Sequence, residues 1–145
     1  MNTKQIKIKS TQQTAPHGPM HSEFISEGFW KRDKGETIYV YDESELSGME
    51  GSQTTLKLNE NHQLTIIRTG PESSTIMEFT EKKVSHSPYI TAYGTFNLTI
   101  HTHKINVNID DFGNGTIELI YYLTINNTEK TRHHLLVSVT SLESA

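Results

Sequence analysis

Alternation of apolar and polar residues constrains this chain more than any other feature. Ile117, Leu119, Tyr121, Leu123 and Ile125 take every odd position of one segment, with Glu118 and Thr124 among the residues between them. Successive side chains of an extended strand point to opposite faces, so a period of two gathers this row on one side of a sheet and rules out a helix face. Phe96, Leu98 and Ile100 alternate with Asn97 and Thr99 in the same way, and Ile105, Val107 and Ile109 with Asn106 and Asn108. The first of these rows is even-numbered and the second odd-numbered. A shift of one residue turns every side chain to the other face, so His101 to Lys104 must hold a tight turn or a β-bulge if both rows are to meet one core.

The same pattern marks strands at Ile6 to Thr14, Ser22 to Trp30, Glu36 to Tyr41, Ser52 to Leu58, Gln63 to Thr69, Thr75 to Phe79 and His133 to Thr140. Between them lie residues with turn chemistry: Pro16-His17-Gly18-Pro19, Lys34-Gly35, Asn59-Glu60-Asn61, Gly70-Pro71 and the run from Asp110 to Gly115. Connections this short leave no room for crossover helices, so successive strands are expected to be antiparallel neighbours in a meander. The fold class is therefore all-β, with about eight to ten strands that close into a barrel and little helix. One stretch, Asp42 to Gly51, breaks the alternation. With Asp42 and Glu45 in capping-box order, it reads as a long loop or a single helical turn at a barrel end.

The chain has 145 residues and is read as a single domain over 1–145, long enough to bury a core of its own. Thirteen basic against seventeen acidic residues leave a net charge of −4, and no basic stripe compensates for it, so nucleic acid is not an expected partner. Cysteine is absent, which removes disulfides, thiolate nucleophiles and thiolate zinc sites together. Nothing approaches the ~18 consecutive apolar residues of a membrane span, and the lysine-bearing start lacks a signal-peptide core. The expectation is a cytoplasmic protein with no membrane partner.

Three ordered segments carry a resemblance. Tyr41 to Gly51 followed by Thr54-Thr55-Leu56-Lys57-Leu58, then Ile67-Arg68-Thr69-Gly70 with Met77-Glu78-Phe79, then Thr91-Ala92-Tyr93-Gly94-Thr95-Phe96, resemble the YwiB-like family of uncharacterised bacterial β-barrel proteins. The resemblance runs from about Phe24 to Val139. It implies a calycin-like (lipocalin-like) barrel in a cytoplasmic bacterial protein, and it implies no activity.

Arg68 is the most informative single residue, because alternation sets it on the face of Leu64 and Ile66. If that face is interior, a guanidinium points into the barrel and needs acidic partners, which Glu43, Glu45 and Glu50 of the loop can supply. Two readings follow. In one, Arg68 anchors a small, partly apolar and anionic ligand, with Glu43, Glu45, Tyr93 and Tyr121 around it and the apolar body along Phe96, Leu98, Tyr121 and Leu123. In the other, an Arg68 to glutamate pair closes the end of a filled barrel, and the protein works by protein interaction or self-association, in the simplest case as a homodimer. Tyr39 and Tyr41 face opposite to Ile38 and Val40, so one of these pairs looks outward, and an outward tyrosine pair would offer a contact surface.

Other chemistry has weaker support. His101 and His103 would share a strand face in a regular segment, but the change of phase falls on them, and no further ligand motif accompanies them. No metal or other cofactor is expected. Glu43, Glu45, Glu78 and Tyr93 are the residues an enzyme would draw on. Gly48-Met49-Glu50-Gly51 is not a phosphate loop and no serine sits in a nucleophile elbow, so no catalytic residue is assigned.

Overall fold

The computed structural model describes residues 3–13, 18–43, 51–71, 73–126, 128 and 130–142. Ten strands follow one another along the chain: β1 (Thr3–Gln13), β2 (Met20–Asp33), β3 (Glu36–Asp42), β4 (Gln53–Leu58), β5 (Leu64–Thr69), β6 (Ser73–Phe79), β7 (Val84–Thr91), β8 (Gly94–Ile109), β9 (Gly115–Ile125) and β10 (Lys130–Ser141). Each pairs antiparallel with the next, and β1 pairs with β10 from Lys4 opposite Ser141 to Gln13 opposite Arg132, which closes the barrel. Closure leaves no free sheet edge, as the meander of short connections requires. The expected all-β barrel is the fold. The stretch Ser44 to Glu50, on which the capping-box turn with Glu45 was placed, lies outside the described residues.

The alternating rows do face one core. Leu56 and Leu58 of β4, Leu64 and Ile66 of β5, Ile117 and Leu119 of β9, and Val137 and Val139 of β10 are all buried. In β8 the phase problem is solved by a bulge inside one continuous strand, not by a turn. Thr102 stands opposite Tyr121 and Lys104 opposite Ile120, so His103 is the extra residue. Leu98 and Ile100 before the bulge, and Ile105 after it, are buried on the same side.

Two expectations need correction. Strand β7 escaped the sequence pattern because its inner positions Ser85 and Ser87 are polar and Pro88 has no N–H to give to a ladder. It meets β6 in only three register pairs, Ser73–Thr91, Ser74–Ile90 and Thr75–Tyr89. Beyond them serine hydroxyls replace the ladder: Ser85 Oγ donates to the Glu78 carbonyl at 2.6 Å, and Ser87 Oγ to that of Ile76. The second correction concerns Tyr39 and Tyr41, which are buried inside the barrel and offer no outer contact surface. Opposite Tyr41 stands Gly28 of β2, where a Cβ would meet Ile6 Cδ1 at 2.5 Å and the Val40 carbonyl oxygen at 2.6 Å, so the close packing of β1, β2 and β3 here needs a residue without a side chain.

One end of the barrel is closed. The Tyr39 hydroxyl donates to the Gly113 carbonyl at 2.8 Å, and buried Lys4 donates to Asn114 Oδ1 at 2.8 Å and Ser141 Oγ at 3.1 Å while its ammonium lies 5.2 Å from the centre of the Trp30 ring. Gly113 has a φ of 80°, and a Cβ there would meet the indole at 2.3 Å, so only glycine allows the Asp110 to Gly115 turn to fold down onto Trp30. The opposite end holds the cavity.

Candidate functional site

The strands of the barrel do not fill it evenly. Toward the end where β5 and β9 terminate and β10 begins, a cavity of about 780 Å³ opens to solvent, within the usual size of a small-ligand site. Its apolar wall comes from Ile8, Phe24, Ile66, Met77, Leu98 and Leu123, each on the inward phase of its strand. The barrel is thus packed solid at one end and hollow at the other, so neither a filled nor an empty interior describes the whole of it.

Arg68 projects into this cavity from β5, as its phase with Leu64 and Ile66 requires. Its side chain is 26% exposed, and its Nε lies 3.7 Å from Oε1 of Glu43, whose side chain is only 2% exposed. That separation is an ion pair longer than a hydrogen bond. The same Glu43 oxygen accepts the Thr54 hydroxyl at 2.5 Å, and Thr54 is the register partner of Arg68 on β4. On the other side of Arg68 stands its β6 partner Thr75. Neither Arg68 Nε nor Thr75 Oγ1 has a hydrogen-bond partner among the described residues, although both atoms are buried. Unpaired donors of this kind are costly, by about 1–3 kcal/mol each, and they concentrate at sites that take a ligand or a water.

Tyr121 and His133 face the same space. Their rings stack with centres 4.8 Å apart and planes 7° apart, and Phe79 lies 4.8 Å from the other flank of Tyr121. His133 Nε2 shares a hydrogen bond of 2.8 Å with the Thr131 hydroxyl. Burial, with the Arg68 charge adding to it, pushes the imidazole down from 6.5 to about 4, so the ring is neutral at physiological pH. Burial also raises the phenols of Tyr41 and Tyr121. The Glu43 charge adds to the effect at Tyr41, and Arg68 opposes it at both.

Among the residues singled out from sequence, the structure brings Arg68, Glu43 and Tyr121 together in one cavity, with Leu98 and Leu123. Glu45 lies outside the described residues. Tyr93 is not part of this site. It is 94% exposed at the turn from β7 to β8, because a two-residue hairpin turn carries its side chains away from the sheet. Phe96 is half-buried and packs edge-on against Tyr89, while Glu78 is exposed on the outer face. His101 and His103 are both exposed, on either side of the buried Thr102. Among the described residues no three His, Asp or Glu side chains converge. Sequence reasoning missed His133, Thr54, Thr75 and Tyr41. For two of them the signal was present: His133 continues the odd-numbered row of Leu135, Val137 and Val139, and Thr54 the even-numbered row of Leu56 and Leu58. A polar residue in an otherwise apolar row marks the place where a core gives way to a cavity.

The family model for the domain of unknown function DUF1934 matches residues 6–137. The crystal structure of the ywiB protein from Bacillus subtilis is similar to this chain, with a TM-score of 0.74 at 14% identity over 97% of this chain and 93% of that one. At that identity the likeness speaks for the fold alone. No curated protein matches the sequence.

Proposed function

This chain belongs to the DUF1934 family, and from that premise we propose that its barrel binds a small, partly apolar ligand whose anionic head is anchored by Arg68. The observation that carries the reading is a cavity of about 780 Å³ with apolar walls, into which, among the described residues, a single guanidinium points with its Nε–H unpaired. Apolar walls supply the affinity of such a site, and a few placed polar groups supply its orientation. Likeness of fold to other barrels adds little, because one fold hosts many functions.

Titration with dansylaminoundecanoic acid tests the proposal. Saturable fluorescence enhancement is expected for the parent protein, weakened about 10- to 100-fold in Arg68→Ala, the worth of a lost charge-assisted hydrogen bond, with circular dichroism unchanged. Absence of binding by the parent sinks the reading. A cytoplasmic setting is part of the same proposal and falls if cell fractionation recovers the protein elsewhere. No helix among the described residues is long and apolar enough to cross a membrane. Self-association is the second reading. Its support is that Ile76, Val84 and Ile90 stand about half exposed on the outer face of β6 and β7, an apolar surface that a second copy could cover.

A further inference from the structure

Among the described residues, the cavity carries one full charge of each sign. Arg68 brings the positive charge and Glu43 the negative one, and the other titratable groups that the described residues turn toward the cavity are His133 and His134 of β10, Tyr121 of β9, Tyr89 of β7, Tyr41 of β3 and His21 of β2; His134 is paired with Glu118 of β9 at 2.8 Å. The contributions of β1, β6 and β8, such as Ser10, Thr75 and Leu98, do not titrate, nor does Thr54 of β4 behind Glu43. His133 is neutral, and His21 is engaged with the Thr11 hydroxyl at 3.0 Å. Glu43 is therefore the counter-charge of Arg68, yet it holds Arg68 loosely. The 3.7 Å gap to Nε leaves that N–H without an acceptor among the described residues, and the Thr75 hydroxyl across the ladder is in the same condition.

Resting on the reading that an anionic head sits at Arg68, we infer that the head is a single carboxylate, bound together with one proton that it shares with Glu43. One guanidinium balances one negative charge, and Glu43 is already that charge. A second carboxylate brought to the same half-buried cation stands beside the like charge of the buried Glu43, and two carboxylates that share a site do not both stay ionised. The proton leaves a buffer acid or hydronium, whose bond to it breaks and whose conjugate base stays in solution, and it forms an O–H on one of the two carboxyl groups, donating to the other. The complex then has the net charge of the free site. A phosphate monoester would add up to two negative charges against the same single cation, so the arrangement selects carboxylates over phosphates.

Binding of dansylaminoundecanoic acid and of its methyl ester to the full chain, measured over about two pH units on the alkaline side of the acid's own titration, tests this. The acid's affinity is expected to fall by up to about tenfold per pH unit, the slope of one linked proton, while the ester's stays flat. Calorimetry in two buffers of different ionisation heat should count about one proton taken up per acid bound, and Glu43→Gln should abolish both the uptake and the pH slope. If Glu43→Gln does not fold, the proton count on the parent decides alone. Acid bound with flat affinity and no proton uptake overturns this inference and leaves the binding site standing, as does dodecyl phosphate binding tighter than dodecanoate. If neither acid nor ester binds, the binding reading itself fails and this one with it.

Discussion

A histidine occupies position 133, where the row of Leu135, Val137 and Val139 calls for an apolar side chain, and the consequence is a pH dependence that can be worked out. In the folded protein burial, helped by Arg68, lowers its titration from 6.5 to about 4. The unfolded chain therefore binds a proton in a range where the folded protein does not. The stability that His133 contributes is fully present above about pH 6.5 and is lost as the pH falls toward about 4. Because the ring borders a cavity open to water, the loss between about pH 7 and about pH 5 is set at about 1–2 kcal/mol. Urea unfolding at the two pH values should show it in the parent and show it reduced by that amount in His133→Gln. Equal slopes in the two proteins would mean that other groups carry the acid sensitivity.

Among the elements, β8 and β7 depart from regularity for different reasons. The extra residue His103 lets one strand carry an even-numbered and an odd-numbered apolar row into the same core. Its side chain is exposed, so its identity matters little and its presence matters greatly. His103→Ala is expected to change stability by less than about 0.5 kcal/mol. Deleting His103 rotates Ile105, Val107 and Ile109 outward or breaks their pairing with β9, a loss of about 1.5–3 kcal/mol for each fully buried side chain. Loss of the cooperative unfolding transition is the expected result, read by thermal denaturation. A deletion variant that melts like the parent would show that β8 can slide in register. Strand β7 instead makes three register pairs with β6 and completes the seam with serine hydroxyls, which places the most weakly laddered part of the barrel between these two strands.

Across the whole molecule, the barrel is divided into a packed end and a hollow end, and the division governs how it answers truncation. Leu119 is fully buried in the packed core, so Leu119→Ala leaves a void with little freedom to collapse and should cost about 2–5 kcal/mol. Leu123, four residues along the same face, is only partly buried and lines the cavity. Its truncation enlarges a space that water already reaches, and Leu123→Ala should cost less than about 1.5 kcal/mol while weakening ligand binding. Chemical denaturation of both variants measures the difference. Equal costs would mean that the hollow end is as tightly packed as the other.

Alternation alone determined the class of fold, because a period of two leaves the chain no other regular structure and each short connection no other topology than a meander. It also placed Arg68 on the inner face with Leu64 and Ile66 and located the irregularity between His101 and Lys104, since both follow from counting positions along one strand. It did not reveal β7, whose inward serines carry no apolar signal. It did not orient Tyr39 and Tyr41, since two apolar pairs on opposite faces satisfy the pattern equally well. Only the tertiary structure decided that the irregularity is a bulge, that Glu43 is, among the described residues, the acidic residue facing Arg68, and that Tyr93 stays outside. The physical reason is common to the bulge and to Glu43. Each depends on which residues of distant strands stand at one level of the closed barrel, and that is set by register around the ring, which no single strand carries in its own sequence.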